Sequence, residues 1–160
     1  MVNYEQYAFL AGQLTIFYSP KGIQLVTLSA EPLTVYLNWF GEAEFTLVTQ
    51  QKYAHLVTAY LAHQSLPVFT VDYQQAGTNL QRQVWQYLKT LPVGNTLTYK
   101  QLALAVGQPN AIRAVASAVA KNPILIFGAC HRIVRSDGTL GEYRDGLDWK
   151  QRLQSFEMTK

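Results

Sequence analysis

The 160-residue sequence has a single cysteine, Cys130, and only three histidines. One cysteine excludes an internal disulfide, and no grouping of Cys and His has the spacing of a closed zinc site, so we predict neither a metal nor any other cofactor. A chain without disulfides is typical of a reducing, intracellular compartment. The N-terminus lacks a basic leader with an apolar core, and no apolar run reaches the length of a membrane span. We therefore expect a cytoplasmic protein without a membrane partner.

Charged residues are also scarce, at 14% of the chain against 49% hydrophobic residues, which is the composition of a folded globular protein. Their distribution is uneven. Residues 1–76 carry two basic and five acidic side chains, a net charge of −3, whereas residues 77–160 carry eleven basic and five acidic ones, a net charge of +6. This asymmetry indicates that the C-terminal part faces a polyanion, although a solvated helical surface would give the same charge.

The pattern of apolar residues predicts an α+β protein with two domains, residues 1–76 and 77–160. The first is a small, strand-rich mixed α/β domain and the second is mostly helical. In the first domain, β-branched runs separated by a Pro-Lys-Gly turn predict a hairpin, and apolar residues at helical spacing predict a helix. The predicted elements are the hairpin, a third strand, the helix and an extended connector, over residues 12–30, 31–40, 50–64 and 65–79.

The second domain contains the outline of a helix-turn-helix. A helix over residues 79–91 begins behind an Asn/Thr cap. A shorter helix follows, with Thr98 and Gln101 fitting a capping box and Gly107 fitting a C-terminal stop. A Gly/Pro turn leads into another helix over residues 111–122. Any helical hairpin has this outline, so the pattern alone leaves both interpretations open.

The last of these helices has two unlike faces. At helical spacing, the predicted buried stripe is Ile112, Val115, Ala116 and Val119. The opposite face combines small side chains with two cations: Arg113, Ala114, Ser117, Ala120 and Lys121. A small, cationic face allows close approach to a polyanion, which favours nucleic acid over an ordinary solvated surface.

Cys130 ends the apolar run "PILIFGA" and is followed by His131 and Arg132. A free cysteine is most often a small buried hydrophobe. A neighbouring base and cation instead favour a reactive thiolate. Because adjacent side chains of an extended chain point in opposite directions, His131 can serve Cys130 as a base only across a turn or through a bridging water.

The segment "ACHRIVRSDGTLGEYRDGL" resembles the active-site segment of O6-alkylguanine-DNA alkyltransferases, whose hallmark is Pro-Cys-His-Arg followed by two aliphatic residues. The resemblance extends from Gly77 to Glu157, about half of the chain. It implies a monomeric repair protein that binds double-stranded DNA carrying O6-alkylguanine. The helix-turn-helix would enter the minor groove, the damaged base would be flipped out, and the alkyl group would pass irreversibly to the protein's own cysteine.

The resemblance also implies roles for five catalytic residues. Cys130 would be the alkyl acceptor, and His131 would deprotonate it through a water. Glu157 would orient His131 and balance its charge. Asn122 would tie the recognition helix to the active-site segment, and Tyr99 would crowd the phosphate of the target nucleotide and donate toward the guanine ring.

Further residues are implied as DNA and substrate contacts. Arg113 would fill the place that the flipped base leaves, and the DNA-binding set is Arg113, Tyr99, Ala114, Ser117 and Lys121. Tyr143 would line the pocket beside the alkyl group, and backbone groups of Cys130, Ile133 and Arg144 would read the guanine edge. The substrate-pocket set is Tyr143, Ile133, Arg144 and Val119, the last also assigned to the buried stripe.

Two departures from the family pattern precede the thiol. Ala129 stands where the family has proline, and Gly128 replaces an aliphatic residue. If the backbone follows the family path, Ala129→Pro should be tolerated and should stabilise the protein.

The alternative function is a damage-binding module that resembles the alkyltransferase-like proteins, which flip alkylguanine but lack the acceptor cysteine. A cysteine hydrolase finds no separate support in the sequence.

Overall fold

The computed structural model describes residues 1–73 and 77–159. The chain divides into two compact units, Met1–Gln75 and Ala76–Lys160. Ala76, the last residue of the predicted N-terminal domain, lies outside the described residues. The protein is a mixed α/β structure, as the sequence predicts. In the described ranges, no helix has both the length and the apolar character needed to cross a membrane.

The first unit is built on a four-stranded sheet in the order β3-β2-β1-β4. The predicted hairpin is confirmed as β2 (Gly12–Ser19) and β3 (Gly22–Thr27), which pair antiparallel. β1 (Val2–Phe9) pairs antiparallel with β2, and the short β4 (Phe45–Leu47) adds parallel to β1. The edge strand β3 is buried along its whole length, so this edge of the sheet is part of the core.

The strand predicted over residues 31–40 is wrong, because Pro32–Phe40 forms helix α1. Pro32 occupies the first turn, where its missing N–H costs nothing and its fixed φ suits a helix. Tyr36 is buried with its ring 4.9 Å from that of Phe17 and 5.4 Å from that of Phe45. Aromatic packing on the sheet therefore outweighs the strand propensity of this segment. The predicted helix over residues 50–64 is confirmed in its centre as α2 (Ala54–Leu61).

The second unit starts with α3 (Asn79–Leu88), whose capping box joins Thr78 and Gln81. Trp85 on this helix is buried, and its Nε1 donates to the carbonyl of Ala118 at 2.8 Å. That bond fixes α3 against α5 (Ile112–Ala120). The predicted capping box of Thr98 and Gln101 is also confirmed, at the start of α4 (Tyr99–Ala105).

The remaining elements of this unit hold the segment around Cys130. Gly107 has a φ of 75° just beyond α4, where a left-handed residue ends a helix. After α5, the chain passes through buried residues to a short 3₁₀ helix, Cys130–Arg132. β6 (Ile133–Val134) then pairs parallel with β5 (Leu97–Thr98), and α6 (Leu147–Met158) closes the unit. The β5–β6 pairing links the start of α4 directly to the end of the thiol segment.

Candidate active site

The segment before the thiol is folded around the side chain of Asn122. This residue is buried, its Oδ1 accepts from the Ile124 amide at 3.1 Å, and its Nδ2 donates to the Ile124 carbonyl at 3.1 Å. The side chain also hydrogen-bonds to Cys130. One amide side chain therefore interacts with both ends of the segment.

Between Asn122 and Cys130, two residues other than glycine have a positive φ, which strains the backbone. Ile126 has a φ of 69°, with the Phe127 amide donating to the Leu125 carbonyl at 2.7 Å in a three-residue turn. Such a φ is an outlier for a β-branched side chain. Ala129, directly before the thiol, has φ 55° and ψ 23°. Strain of this kind is found at sites where the surrounding structure fixes a geometry for function.

The expectation that proline fits position 129 is wrong. Proline locks φ near −65°, and Ala129 is on the opposite side of the Ramachandran map. The Ala129 amide also donates to the Ile126 carbonyl at 3.2 Å, a bond that proline cannot make. The residue directly before Cys130 therefore has a left-handed backbone conformation in this chain.

Gly128 has a steric role that its departure from the family pattern did not suggest. A Cβ at this position would lie 2.4 Å from the Ile124 carbonyl oxygen and 2.6 Å from Asn122 Nδ2. Both neighbours belong to the hydrogen-bonded turn around Asn122. Glycine is required here because the backbone packs directly on that turn.

Behind the thiol, His131 and Arg132 converge on Glu157 of α6. His131 Nε2 hydrogen-bonds to Glu157 Oε2, and Arg132 Nε donates to Glu157 Oε1 at 2.7 Å. All three side chains are buried. The Gly94 amide donates to Glu157 Oε1 at 3.1 Å, and Arg132 Nη1 donates to the Leu91 carbonyl at 2.6 Å. Glu157 is thus held by several donors, so it in turn fixes the orientation of the imidazole.

The electrostatics of this cluster favour a neutral histidine beside an ionised glutamate. Burial opposes the charge on Glu157, but the hydrogen bonds and charges of His131 and Arg132 outweigh it and lower the pKa of Glu157 far below its usual value. Burial lowers the pKa of His131, against the raising effect of Glu157. With Nε2–H donating to the carboxylate, the neutral ring carries its basic lone pair on Nδ1. The ring is then a proton acceptor at neutral pH.

The Cys130 thiol lies in the wall of a pocket of ≈ 380 Å³. Several of the predicted site residues line it together: Tyr99, Arg113, Val119, Cys130, Tyr143 and Arg144. Asn122, His131, Ile133 and Glu157 are buried and do not line it. Ala114, Ser117 and Lys121 are exposed on or just after α5, on the face predicted to contact DNA.

The buried face of α5 differs from the predicted stripe. Val115 and Val119 are buried as expected, but the third member is Ala118. Ile112 is 38% exposed, and it lines the pocket together with Ala116. The predicted stripe combined two neighbouring faces of one helix, one packed on the core and one facing the pocket. Periodicity cannot separate a buried residue from one that lines a cavity.

Lys150 is a residue of the site that the sequence analysis missed. It is fully buried on α6, its Nζ donates to the Glu142 carbonyl at 3.2 Å, and it lies 5.9 Å from the centre of the Tyr99 ring. Burial lowers its pKa to about 8. Its position gives a signal, because Lys150, Leu153 and Glu157 are spaced to share one helix face. A lysine on the buried face of a helix is rarely there for packing alone.

A family model described as 6-O-methylguanine DNA methyltransferase, DNA binding domain, matches residues 79–159. A methylated-DNA--protein-cysteine methyltransferase of Methanosarcina acetivorans is 38% identical over 155 residues, covering 89% of this chain and 96% of that protein. The bifunctional transcriptional activator/DNA repair enzyme Ada of Escherichia coli is 48% identical over 103 residues, which is 64% of this chain. The chain spans only 29% of the length of Ada and 58% of that of a Methanosarcina barkeri methyltransferase.

Solved structures agree with these relatives. The structure of Mycobacterium tuberculosis OGT in complex with DNA has a TM-score of 0.80 at 28% identity, covering 98% of this chain and 92% of that one. The O6-methylguanine-DNA methyltransferase from Pyrococcus kodakaraensis shares the fold, with a TM-score of 0.75 at 20% identity and 99% of this chain covered. The family model matches residues 79–159, and the Methanosarcina acetivorans relative matches over nearly its full length. This chain therefore belongs to the 6-O-methylguanine DNA methyltransferase family.

Proposed function

We propose that the protein repairs duplex DNA by moving the alkyl group of O6-alkylguanine onto Cys130 in a single turnover. The observation that carries this proposal is the position of the thiol. Cys130 lines the same pocket as Tyr99, at the start of α4, and Arg113, on the cationic face of α5. The next residue in the chain, His131, is buried and hydrogen-bonds to the buried Glu157. A nucleophile, a base and an orienting carboxylate are the parts that covalent catalysis needs.

The reaction balances without a cofactor. The thiol proton passes through a water to His131, and the thiolate sulfur attacks the alkyl carbon. A C–S bond forms as the bond from that carbon to O6 breaks, and its electron pair stays on the guanine, which then takes up one proton. Since the thioether is not hydrolysed, each molecule repairs one lesion. A thiolate suits this step because displacement at carbon requires a strong, polarisable nucleophile.

The DNA-binding part of the proposal rests on the surface of α4 and α5. These helices and their short connection would act as a helix-turn-helix in the minor groove, with Ala114 and Ser117 allowing close approach. Lys121 would contact phosphate, and Arg113, exposed beside the pocket, would occupy the space of the flipped base. Tyr99 lines the pocket from the start of α4, where it would turn the target nucleotide inward.

The substrate would be held between side chains and backbone. Tyr143 and Val119 line the pocket and would contact the alkyl group, and backbone groups of Cys130, Ile133 and Arg144 would read the guanine edge. We further propose that the two compact units are the domains of a monomeric, cytoplasmic protein, with DNA bound through the second.

Intact-mass measurement after incubation with an O6-methylguanine duplex tests the function. We expect a gain of one methyl group that maps to the Cys130 peptide. Cys130→Ser should bind the duplex and gain nothing, because a hydroxyl is far less ionised and less nucleophilic than a thiol. Unmodified wild-type protein in a tight complex would instead indicate a damage-binding module, and methylation of Cys130→Ser would place the acceptor elsewhere.

A further inference from the structure

The side chain of Arg144 does more in this structure than the backbone role assigned to it above. Its Nη1 donates to the Asn122 carbonyl at 3.3 Å and to the Pro123 carbonyl at 3.4 Å. The side chain is 12% exposed and lines the pocket that contains the Cys130 thiol. Arg144 therefore holds the start of the strained segment and faces its end.

Asn122 connects these two positions. Its backbone carbonyl accepts from Arg144, whereas its side chain closes the turn at Ile124 and hydrogen-bonds to Cys130. A shift of the Asn122 backbone would move the amide that contacts the thiol. The guanidinium thus stabilises the turn through the backbone carbonyls of Asn122 and Pro123.

We propose that the Arg144 side chain is the positioning residue of the nucleophile, holding the Asn122–Pro123 turn by both carbonyls and presenting its positive charge to the Cys130 sulfur so that the thiolate is available for alkyl transfer. The effect on alkyl transfer rests on the proposed function, whereas the effect on the Cys130 thiol rests on the geometry of this pocket.

The charges around Cys130 support this assignment. Burial raises the pKa of the thiol, and among the opposing influences the charge of Arg144 is the largest, ahead of the Asn122 hydrogen bond and the charge of Lys150. Other ionisable groups face the same pocket from α4, α5 and the loop before α6: Tyr99, Arg113, Arg135, Glu142 and Tyr143. His131 follows the thiol in the chain.

Arg144 and Lys150 differ in how their charges respond to pH. Burial lowers the pKa of Lys150 to about 8, so its charge falls away as pH rises through that value. Burial also lowers the pKa of Arg144, but a guanidinium remains protonated throughout the physiological range. Of these two groups, Arg144 is therefore the one that keeps its positive charge above neutral pH. Its planar fork also allows one nitrogen to reach two carbonyls while the charge stays in the pocket.

The test uses the single cysteine as its own probe. The rate of iodoacetamide addition to Cys130 is measured by intact mass between pH 7 and 12 in wild type, Arg144→Gln and Arg144→Lys, without DNA. We expect Arg144→Gln to move the midpoint of the rate upward by about one pH unit, which lowers the thiolate fraction at neutral pH about tenfold. Arg144→Lys keeps the charge, so its midpoint should stay closer to that of the wild type. Thermal unfolding of each variant is recorded in parallel.

Arg152→Gln is the matched control, since it removes the same charge from the same unit at a residue that stacks on Trp149 and does not line the pocket. Its midpoint should equal that of the wild type. An unchanged midpoint in Arg144→Gln, or equal shifts in Arg144→Gln and Arg144→Lys, would overturn the proposal. Methyl transfer from the DNA duplex is then measured separately. A wild type that transfers nothing, yet shows the expected midpoints, would reject the proposed function and leave the role of Arg144 intact.

Discussion

A glutamate is buried in each unit of this protein, and the two carboxylates are satisfied in opposite ways. Glu5 of the first unit accepts from the Tyr7 hydroxyl at 2.6 Å, the Lys52 amide at 2.8 Å, the Tyr53 amide at 3.3 Å and the Tyr18 hydroxyl at 3.4 Å. These donors are neutral groups. A carboxylate held by hydroxyls and amides fixes β1 to β2 and to the start of α2.

Glu157 of the second unit is held by groups that carry or exchange charge. Arg132 reaches both of its oxygens, at 2.7 and 3.2 Å, and His131 shares one of them. Arg132 balances the carboxylate, so the imidazole is left to gain or lose a proton. The comparison teaches that burial of a carboxylate does not mark a site by itself. The nature of its donors separates the glutamate held by neutral groups from the one that we propose serves the reaction.

The backbones around the two carboxylates differ in the same way. The side chains at Glu5 come mainly from paired strands, although Gln51, just before the start of α2, has a φ of 54°. The histidine at Glu157 follows a segment with positive φ at Ile126 and Ala129. The first region is built mostly from regular elements, whereas the second accepts strain at Ala129, directly before the thiol.

The largest expected effect separates the two glutamates by function. Glu157→Gln removes the charge that orients His131, so alkyl transfer should fall by roughly 10²–10⁴-fold, the contribution of a positioned base. Glu5→Gln should lower the unfolding free energy of its unit by about 1–3 kcal/mol, the cost of an unsatisfied buried group, and leave the transfer rate of folded protein unchanged. Single-turnover rates and circular dichroism on both variants check this. Similar rate losses in both would remove the distinction drawn here.

The next prediction sharpens the comparison of backbones. Ala129→Pro forces a φ near −65° where 55° is found and removes the amide bond to Ile126, so it should destabilise the second unit by about 3 kcal/mol or more. Denaturant unfolding measures the loss. Ala129→Gly is the matched control, since glycine accepts the left-handed φ and keeps the amide donor, so this variant should not be destabilised. A stable, active Ala129→Pro protein would show that the left-handed turn is not required.

Local signals in the sequence were sufficient for much of the fold. The N-terminal cap of α3, the capping box of α4, the hairpin and the end of α4 at Gly107 depend on residues within a few positions of each other, so they could be predicted directly. Helix α1 could not, because its aromatic residues suit a strand until the sheet that buries Tyr36 is known. Tertiary packing decided that segment, and Pro32 was the one local signal for it.

For the candidate site, side chains could be predicted and backbone could not. The resemblance to the family gave Cys130, His131 and Glu157, and the structure brings the last two into contact. It gave no sign that Ala129 is left-handed or that Gly128 packs on the Asn122 turn, because this chain departs from the family at both positions. Lys150 and the side chain of Arg144 were missed because their partners are distant in sequence.

The third prediction concerns the pH dependence of stability. The cluster around Glu157 should lose its stabilising effect at acid pH, and the cluster around Glu5 should lose its effect at alkaline pH. The folded pKa of Glu157 is depressed, so its stabilisation is present above about pH 4.5 and is lost as pH falls toward the folded value. Burial and the Glu5 carboxylate raise the pKa of Tyr7 well above its ordinary value of 10, so its contribution is present below pH 10 and is lost as pH rises beyond 10 toward the folded pKa. Thermal midpoints from pH 3 to 12 should flatten on the acid side in Glu157→Gln and on the alkaline side in Tyr7→Phe. Flattening on the same side in both would contradict the assignment.

The smallest effect expected is a gain in stability. A left-handed conformation costs an L-residue about 1–2 kcal/mol, and glycine avoids that cost while giving the unfolded chain about 0.4–1 kcal/mol of extra entropy to lose. Ala129→Gly should therefore stabilise the second unit by about 0.5 kcal/mol. Ala116→Gly, in the middle of α5, is the matched control and should destabilise by roughly 0.5–1 kcal/mol, because glycine is unfavourable within a helix. Denaturant midpoints measured side by side resolve the difference of sign. If both glycines destabilise to the same extent, Ala129 carries no strain, and the contrast between a regular region and a strained one does not hold at the residue before the thiol.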